Sequence, residues 1–267
     1  VRRRSVPAAL IAVALVAVLL LLGPLVALLL NIPWDRAVEL ITADEATEAF
    51  GLSLTTALVS TVLCIVLGLP LSLWMVDMMR RHPRWGDALQ LIIYAPLVLS
   101  PVVSGLALVF FWGRHGLVGE WLDDSFGVRV AFTSLAVIVV QVFVSLPFFV
   151  STTVTSLRGV PPVVQEAARV DGASRWQTLW RITVPLAGPG IAAGTVLGFA
   201  RALSEYGATL TFAGNVAGET RTIPLLIELG LSSNDMDQAL GACILLLGIY
   251  VLVVGGIATT TLLRRKR

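Results

Sequence analysis

The chain has 267 residues, 57% hydrophobic and 13% charged, with a formal net charge of +2. So little polar surface cannot cover a soluble globule, which leaves a multi-span membrane protein as the expected class. No nucleic-acid partner is expected.

Six continuous apolar runs predict transmembrane helices at about 7–30, 53–76, 88–112, 131–154, 184–203 and 239–263. The runs do not alternate as barrel strands would, and a helix satisfies its own backbone in lipid, so an all-α integral membrane protein with a single transmembrane domain over 1–267 is expected. The first run follows Arg2, Arg3 and Arg4 and is too long for a signal peptide, so it is read as a retained helix. Pro96 and Pro101 in the third run, Pro147 in the fourth and Pro189 in the fifth each remove a helix hydrogen bond and invite a bend. Cys64 and Cys243 fall inside predicted spans, while His82 and His115 fall on opposite sides, so neither a disulfide framework nor a metal site is expected.

Charge sets the orientation. Fourteen basic residues flank one set of span ends: Arg2–Arg4, Arg80, Arg81, Arg84, Arg158, Arg169, Arg175, Arg181 and Arg264–Arg267. Only five, Arg36, Arg114, Arg129, Arg201 and Arg221, flank the other. The positive-inside rule therefore predicts both termini and the 155–183 loop in the cytoplasm.

That loop is the most structured of the connections. Pro161 and Pro162 suit a helix entry, Val163 to Asp171 gives a short helix, and Gly172 suits a left-handed end. Ser174 with Gln177 three positions on forms a capping box for a second short helix. Ala167, Ala168 and Ala173 would keep the surface low near the bend, with Glu166, Arg169 and Arg175 supplying charge for docking. Trp176, Leu179, Trp180 and Ile182 recur at helical spacing and would anchor the second helix at the bundle or the lipid interface. From periodicity alone, an interfacial hairpin without a partner remains open beside a docking element.

The segment from Glu166 to Pro185, EAARVDGASRWQTLWRITVP, closely resembles the coupling loop of bacterial ABC importers, the segment by which a membrane subunit docks on its ATPase. Under that resemblance Glu166, Ala167, Ala168, Asp171, Gly172, Ala173 and Arg175 are the coupling residues. A second resemblance is carried by FARALSEYGATLTFAGNVAGETRTIP, Phe199 to Pro224, by APLVLSPVVSG, Ala95 to Gly105, and by GRHGLVG, Gly113 to Gly119. These runs resemble the molybdate permease branch of that superfamily. Sulfate and thiosulfate permeases share the Arg201, Glu205, Tyr206 and Gly207 pattern but lack the Gly218 to Pro224 run. The molybdate branch usually has consecutive prolines where this chain has Ser100-Pro101, a departure on the inner wall of the expected pathway.

The pathway and gate candidates are Ser100, Pro101, Ser104, Arg201, Ser204, Glu205, Tyr206, Gly207, Thr209 and Thr211. Arg201 and Glu205 stand four apart on one helical face, where they either pin the helix end as an ion pair or touch substrate. Ser204, Thr209, Thr211 and Asn215 offer neutral donors, which suit release of an oxyanion better than a deep charge trap. The resemblance implies a homodimer in the bacterial inner membrane, two ATPase subunits and an extracytoplasmic oxyanion-binding protein. The only lysine is Lys266, so no P-loop exists on this chain; ATP and Mg would belong to the partner ATPase, and no cofactor is expected here. The alternatives are a sulfate or thiosulfate ABC permease and a stand-alone secondary transporter. The second lacks the mid-span charges or internal repeats such proteins usually carry.

Overall fold

Long apolar runs free of turn residues fold into helices that close their own hydrogen bonds, and these dominate the chain. The computed structural model describes residues 8–265, with the side chains of 10–256. Pro7, Arg2–Arg4, Lys266 and Arg267, which entered the first span and the orientation, lie outside the described residues, as do the side chains of Arg264 and Arg265.

Thirteen α-helices succeed one another among the described residues: α1 (Ala8–Asn31), α2 (Ala37–Thr42), α3 (Asp44–Arg81), α4 (Pro83–Val98), α5 (Pro101–Trp112), α6 (Gly119–Phe126), α7 (Ser134–Arg158), α8 (Pro162–Val170), α9 (Arg175–Thr178), α10 (Val184–Leu203), α11 (Gly207–Phe212), α12 (Ile223–Ser232) and α13 (Met236–Arg265). A π-helical segment, Leu179–Thr183, joins α9 to α10 without a break. Among the described residues, five helices are long and apolar enough to cross a membrane, six if the bent pair α4–α5 forms one span.

The third apolar run is therefore not a single rod. α4 and α5 meet at 112°, and the break falls at Leu99 and Ser100, both extended. Pro101 causes it: a residue before proline is driven from the helical region, and Ser100 then caps the new helix by accepting the Val103 N–H at 3.3 Å. Pro147 and Pro189, by contrast, remain inside continuous helices.

α7 is the centre of the bundle, packed between α3 and α10. Glycines permit the close approach. A Cβ on Gly68 of α3 would lie 2.5 Å from the Phe149 ring, and one on Gly194 of α10 would lie 3.1 Å from the Phe149 carbonyl oxygen. Ser60 of α3 donates to the buried Gln141 side chain of α7 at 3.0 Å, a polar link between the two helices inside the core. α12 and α13 pack together and against α3. α1 stands apart: none of its spanning window is buried against the rest of the chain. After it, Arg36 pairs with Glu39 at 3.2 Å and Asp237 at 2.7 Å, tying α2 to the start of α13. The guanidinium holds the Glu39 carboxyl below its ordinary range.

Candidate functional site

At the arginine-rich end of the bundle the chain builds a hairpin. Pro162 takes the first turn of α8, where its missing N–H costs nothing. The helix then has two faces. Gln165 and Ala168 are buried against the bundle, and Arg80 at the end of α3 donates to Gln165 Oε1 at 3.2 Å. Val163, Glu166, Ala167 and Val170, spaced three or four apart, form an exposed outward stripe. Gly172 ends the helix at φ +87°, and Ala173 N–H reaches back to the Ala168 carbonyl at 2.9 Å. Nothing lies within 4 Å of where a Gly172 side chain would start, so the need for glycine is conformational rather than steric.

Ser174 accepts the Gln177 N–H at 3.2 Å while its own N–H donates to Gln177 Oε1 at 2.8 Å, completing the capping box. The helix that begins there is not the separate short one expected. The turn runs on through the π segment into α10, giving one helix from Arg175 to Leu203. Pro185 has no N–H to donate and its ring crowds the carbonyl four residues back. The backbone opens into the wider register just before it, with Val184 N–H bonded to Leu179 O. Of the three alanines expected to keep the surface low, Ala167 is exposed, Ala173 half-buried and Ala168 turned inward, because α8 lies flat on the bundle. Asp171 and Arg175 are exposed; Trp176 and Trp180 stack edge to face, 5.5 Å apart, on the outside.

At the opposite end the structure brings together two runs that are a hundred residues apart. A Cβ on Gly207 would lie 2.7 Å from Pro101 Cβ, and one on Gly105 would lie 2.6 Å from Thr211 Cβ, so α5 and α11 cross in close contact. Ser104 is buried in that crossing, whereas Ser100 and Pro101 are exposed at its edge. Arg201 Nη1 meets Glu205 Oε2 at 2.6 Å, and Glu205 Oε1 accepts the Ala208 N–H at 2.8 Å. With its side chain 1% exposed, Glu205 uses both oxygens inside the chain, the geometry of a pinned helix end. Ser204 is exposed and donates to the Arg201 carbonyl at 3.3 Å; Tyr206 is also exposed.

The expected neutral donors separate into distinct settings. Thr209 Oγ1 is buried without a hydrogen-bond partner, and Thr211 bonds its own helix at Gly207 O, 2.8 Å away. Asn215 is not free: it donates to Leu225 O at 3.1 Å and accepts from Arg221 at 3.0 Å, which holds the loop before α12. Ile223 N–H donates to Ser53 Oγ at 2.7 Å, stapling the Gly218 to Pro224 run onto α3.

Sequence reading missed a cavity beside α11 at this end of the bundle. It has a volume of about 470 Å³ and is lined by Thr211, Phe132 and a charged cluster in which Arg114 and Arg129 approach the same Asp123 at 3.5 and 3.2 Å. These charges fall in three separate stretches of chain, and only the glycine-spaced turn Gly113 to Gly119 hinted that they converge. That turn is tight, since a Cβ on Gly119 would lie 2.0 Å from Gly113 O.

The profile of the binding-protein-dependent transport system inner membrane component family matches residues 68–267. The chain is 41% identical over 248 residues, 93% of its length and 92% of the relative's, to the molybdenum transport system permease protein ModB of Mycobacterium tuberculosis (strain ATCC 25618 / H37Rv). It is 33% identical over 90% of its length, and 87% of the relative's, to the sulfate transport system permease protein CysT of Escherichia coli (strain K12). In fold it is similar to a chain of a bacterial alginate ABC transporter solved in complex with an alginate pentasaccharide-bound periplasmic protein, with a TM-score of 0.72 at 23% identity over 92% of this chain and 91% of that one. An arginine-anchored hairpin on an all-helical bundle, together with a profile match over most of the chain, places it plainly: the chain belongs to the family of inner membrane components of binding-protein-dependent transport systems.

Proposed function

We propose that this chain is the membrane-spanning permease subunit of an ABC importer for molybdate, with tungstate as a second substrate of nearly the same size and charge. The observation that carries the coupling role is the α8 hairpin. Its inward face is locked to α3 through Gln165 and Arg80, while Val163, Glu166 and Val170 stand outward, exposed among the described residues. An exposed apolar stripe with one acid, held on a rigid turn, is a docking face rather than a core. The closer similarity to the molybdenum permease than to the sulfate permease carries the substrate reading.

In this reading the arginine-rich end faces the cytoplasm, and two copies of the chain stand over two ATPase subunits that hold ATP and Mg. An extracytoplasmic binding protein delivers the oxyanion to the outer end, where the α5–α11 crossing and the cavity beside it lie. Closure of the ATPases draws the two α8 hairpins together and opens the path outward; hydrolysis resets it. The hairpin transmits that motion because Gly172 and the Ser174 box fix the angle between α8 and the helix that runs on into α10.

Co-purification with the ATPase encoded beside it, then ATPase assay in liposomes with binding protein and molybdate, tungstate or sulfate, tests the proposal. Stimulation by molybdate and tungstate but not sulfate is the expected result. Stimulation by sulfate moves the substrate and keeps the architecture, and failure to retain an ATPase overturns the coupling role.

A further inference from the structure

Behind α8, on the side away from its outward stripe, lies a cavity of about 440 Å³ between the end of α3, α8 and the turn at Arg175. Its wall carries Arg80, Arg81, Arg169 and Arg175 against a single carboxylate, Asp77. Asp77 is taken by Arg81 at 2.8 Å. Among the described residues no carboxylate pairs with Arg80, Arg169 or Arg175. The cavity therefore holds an uncompensated positive charge in a space partly enclosed by protein. Gln165, which lines it, is 8% exposed, and its Nε2 has no hydrogen-bond partner although its Oε1 accepts from Arg80. A buried amide left without an acceptor costs stability, so a group bearing several acceptor oxygens is what this wall lacks.

We infer that this cavity binds a phosphate-type tetrahedral oxyanion, carried by the headgroup of an anionic lipid or free in solution, and that its occupant braces α8 against α3. Guanidinium forks match such oxygens two at a time, and a basic pocket between helix ends at a membrane surface suits a lipid headgroup. The exposed Trp176 and Trp180 beside Arg175 place an interfacial aromatic pair at the rim. The docking stripe of α8 points away from the cavity, while Arg169 and Arg175, read in the sequence as docking charges, line the cavity instead, so an ATPase seated on the stripe leaves this wall to the anion. The inference rests on the proposed orientation of the chain, which puts this end at the inner leaflet.

The test uses the permease–ATPase complex, stripped of lipid in a neutral detergent. It is titrated with dihexanoyl-phosphatidylglycerol against dihexanoyl-phosphatidylcholine, and with sodium phosphate against sodium chloride at equal ionic strength. The expected result is a saturable rise in the permease Tm of roughly 3 to 5 °C with phosphatidylglycerol, phosphate or both, and none with either control. A response to phosphatidylglycerol alone assigns the site to lipid; a response to phosphate as well admits the free anion. In R80Q/R175Q the apparent affinity falls at least about tenfold. Equal shifts with ligands and controls in the wild type overturn the inference whether or not the variant folds, and so does a well-folded R80Q/R175Q that binds as the wild type does. ATPase retention is scored on the same preparation, so failure of the coupling role appears as a missing ATPase with the titration still readable on the permease.

Discussion

Gly172 and Glu205 are each fixed by conformation or charge rather than by space, and each makes a different prediction. At φ +87° a residue with a Cβ costs roughly 1 to 2 kcal/mol, more when β-branched, yet the position is open. Gly172→Val is expected to leave the permease folded in the membrane while abolishing retention of the ATPase on co-purification; wild-type yield of the complex from that variant would refute the role of the bend. Glu205→Gln keeps an acceptor for the Ala208 N–H but leaves Arg201 without its counter-charge. Arg201 is partly open to its surroundings at 26% exposure, so the loss is about 2 kcal/mol, below that of a fully buried pair. A drop in Tm with ATPase retention intact is the expected outcome, and the double change R201Q/E205Q should recover most of it. If the double variant is instead as unstable as the single one, the pair is not what holds this helix end.

At the scale of elements, the π segment sets the rotation between the hairpin and α10. Pro185→Ala restores an N–H and removes the crowding that opened the helix, so the segment can relax to the α register. That turns α9 by about 100° relative to α10. Loss of ATPase retention with Tm unchanged or raised is the expected pair of readings; unchanged retention would show that the register is held by the hairpin's own contacts. The hairpin's caps were legible in the sequence because Pro162, Gly172, Ser174 and Gln177 act within one turn of chain. Long apolar runs were legible for the same local reason. The 112° break at Ser100 was legible only as a bend, since its size is set by what α5 must reach: Gly207 against Pro101 and Gly105 against Thr211. The inward turn of Ala168 and the short helices α11 and α12 depend on contacts between distant segments, and the convergence of Arg114 and Arg129 on Asp123 depends on how one turn-rich stretch folds back on itself; periodicity is blind to both.

On the scale of the whole molecule, α3 is a 38-residue rod of about 57 Å, longer than the ~30 Å hydrocarbon layer. It is fastened to the Gly218 to Pro224 run through Ser53 and to the hairpin through Arg80. Val66 and Leu67 face outward from its middle, 59% and 53% exposed, so V66G/L67G removes no core contact and loosens only the rod, at about 2 kcal/mol of helix propensity. That variant is expected to keep its ATPase and its basal hydrolysis but to lose most of the stimulation by loaded binding protein; full stimulation would show that the two ends communicate by another route. α7 leads to a separate consequence. Its buried face, from Val137 through Gln141 and Val150 to Leu157, fills the middle of the bundle, and the cavities at the two ends share no lining residue. In the proposed homodimer, the buried face of α7 at the heart of each copy puts the anion's corridor along the seam between copies, each supplying half of its wall.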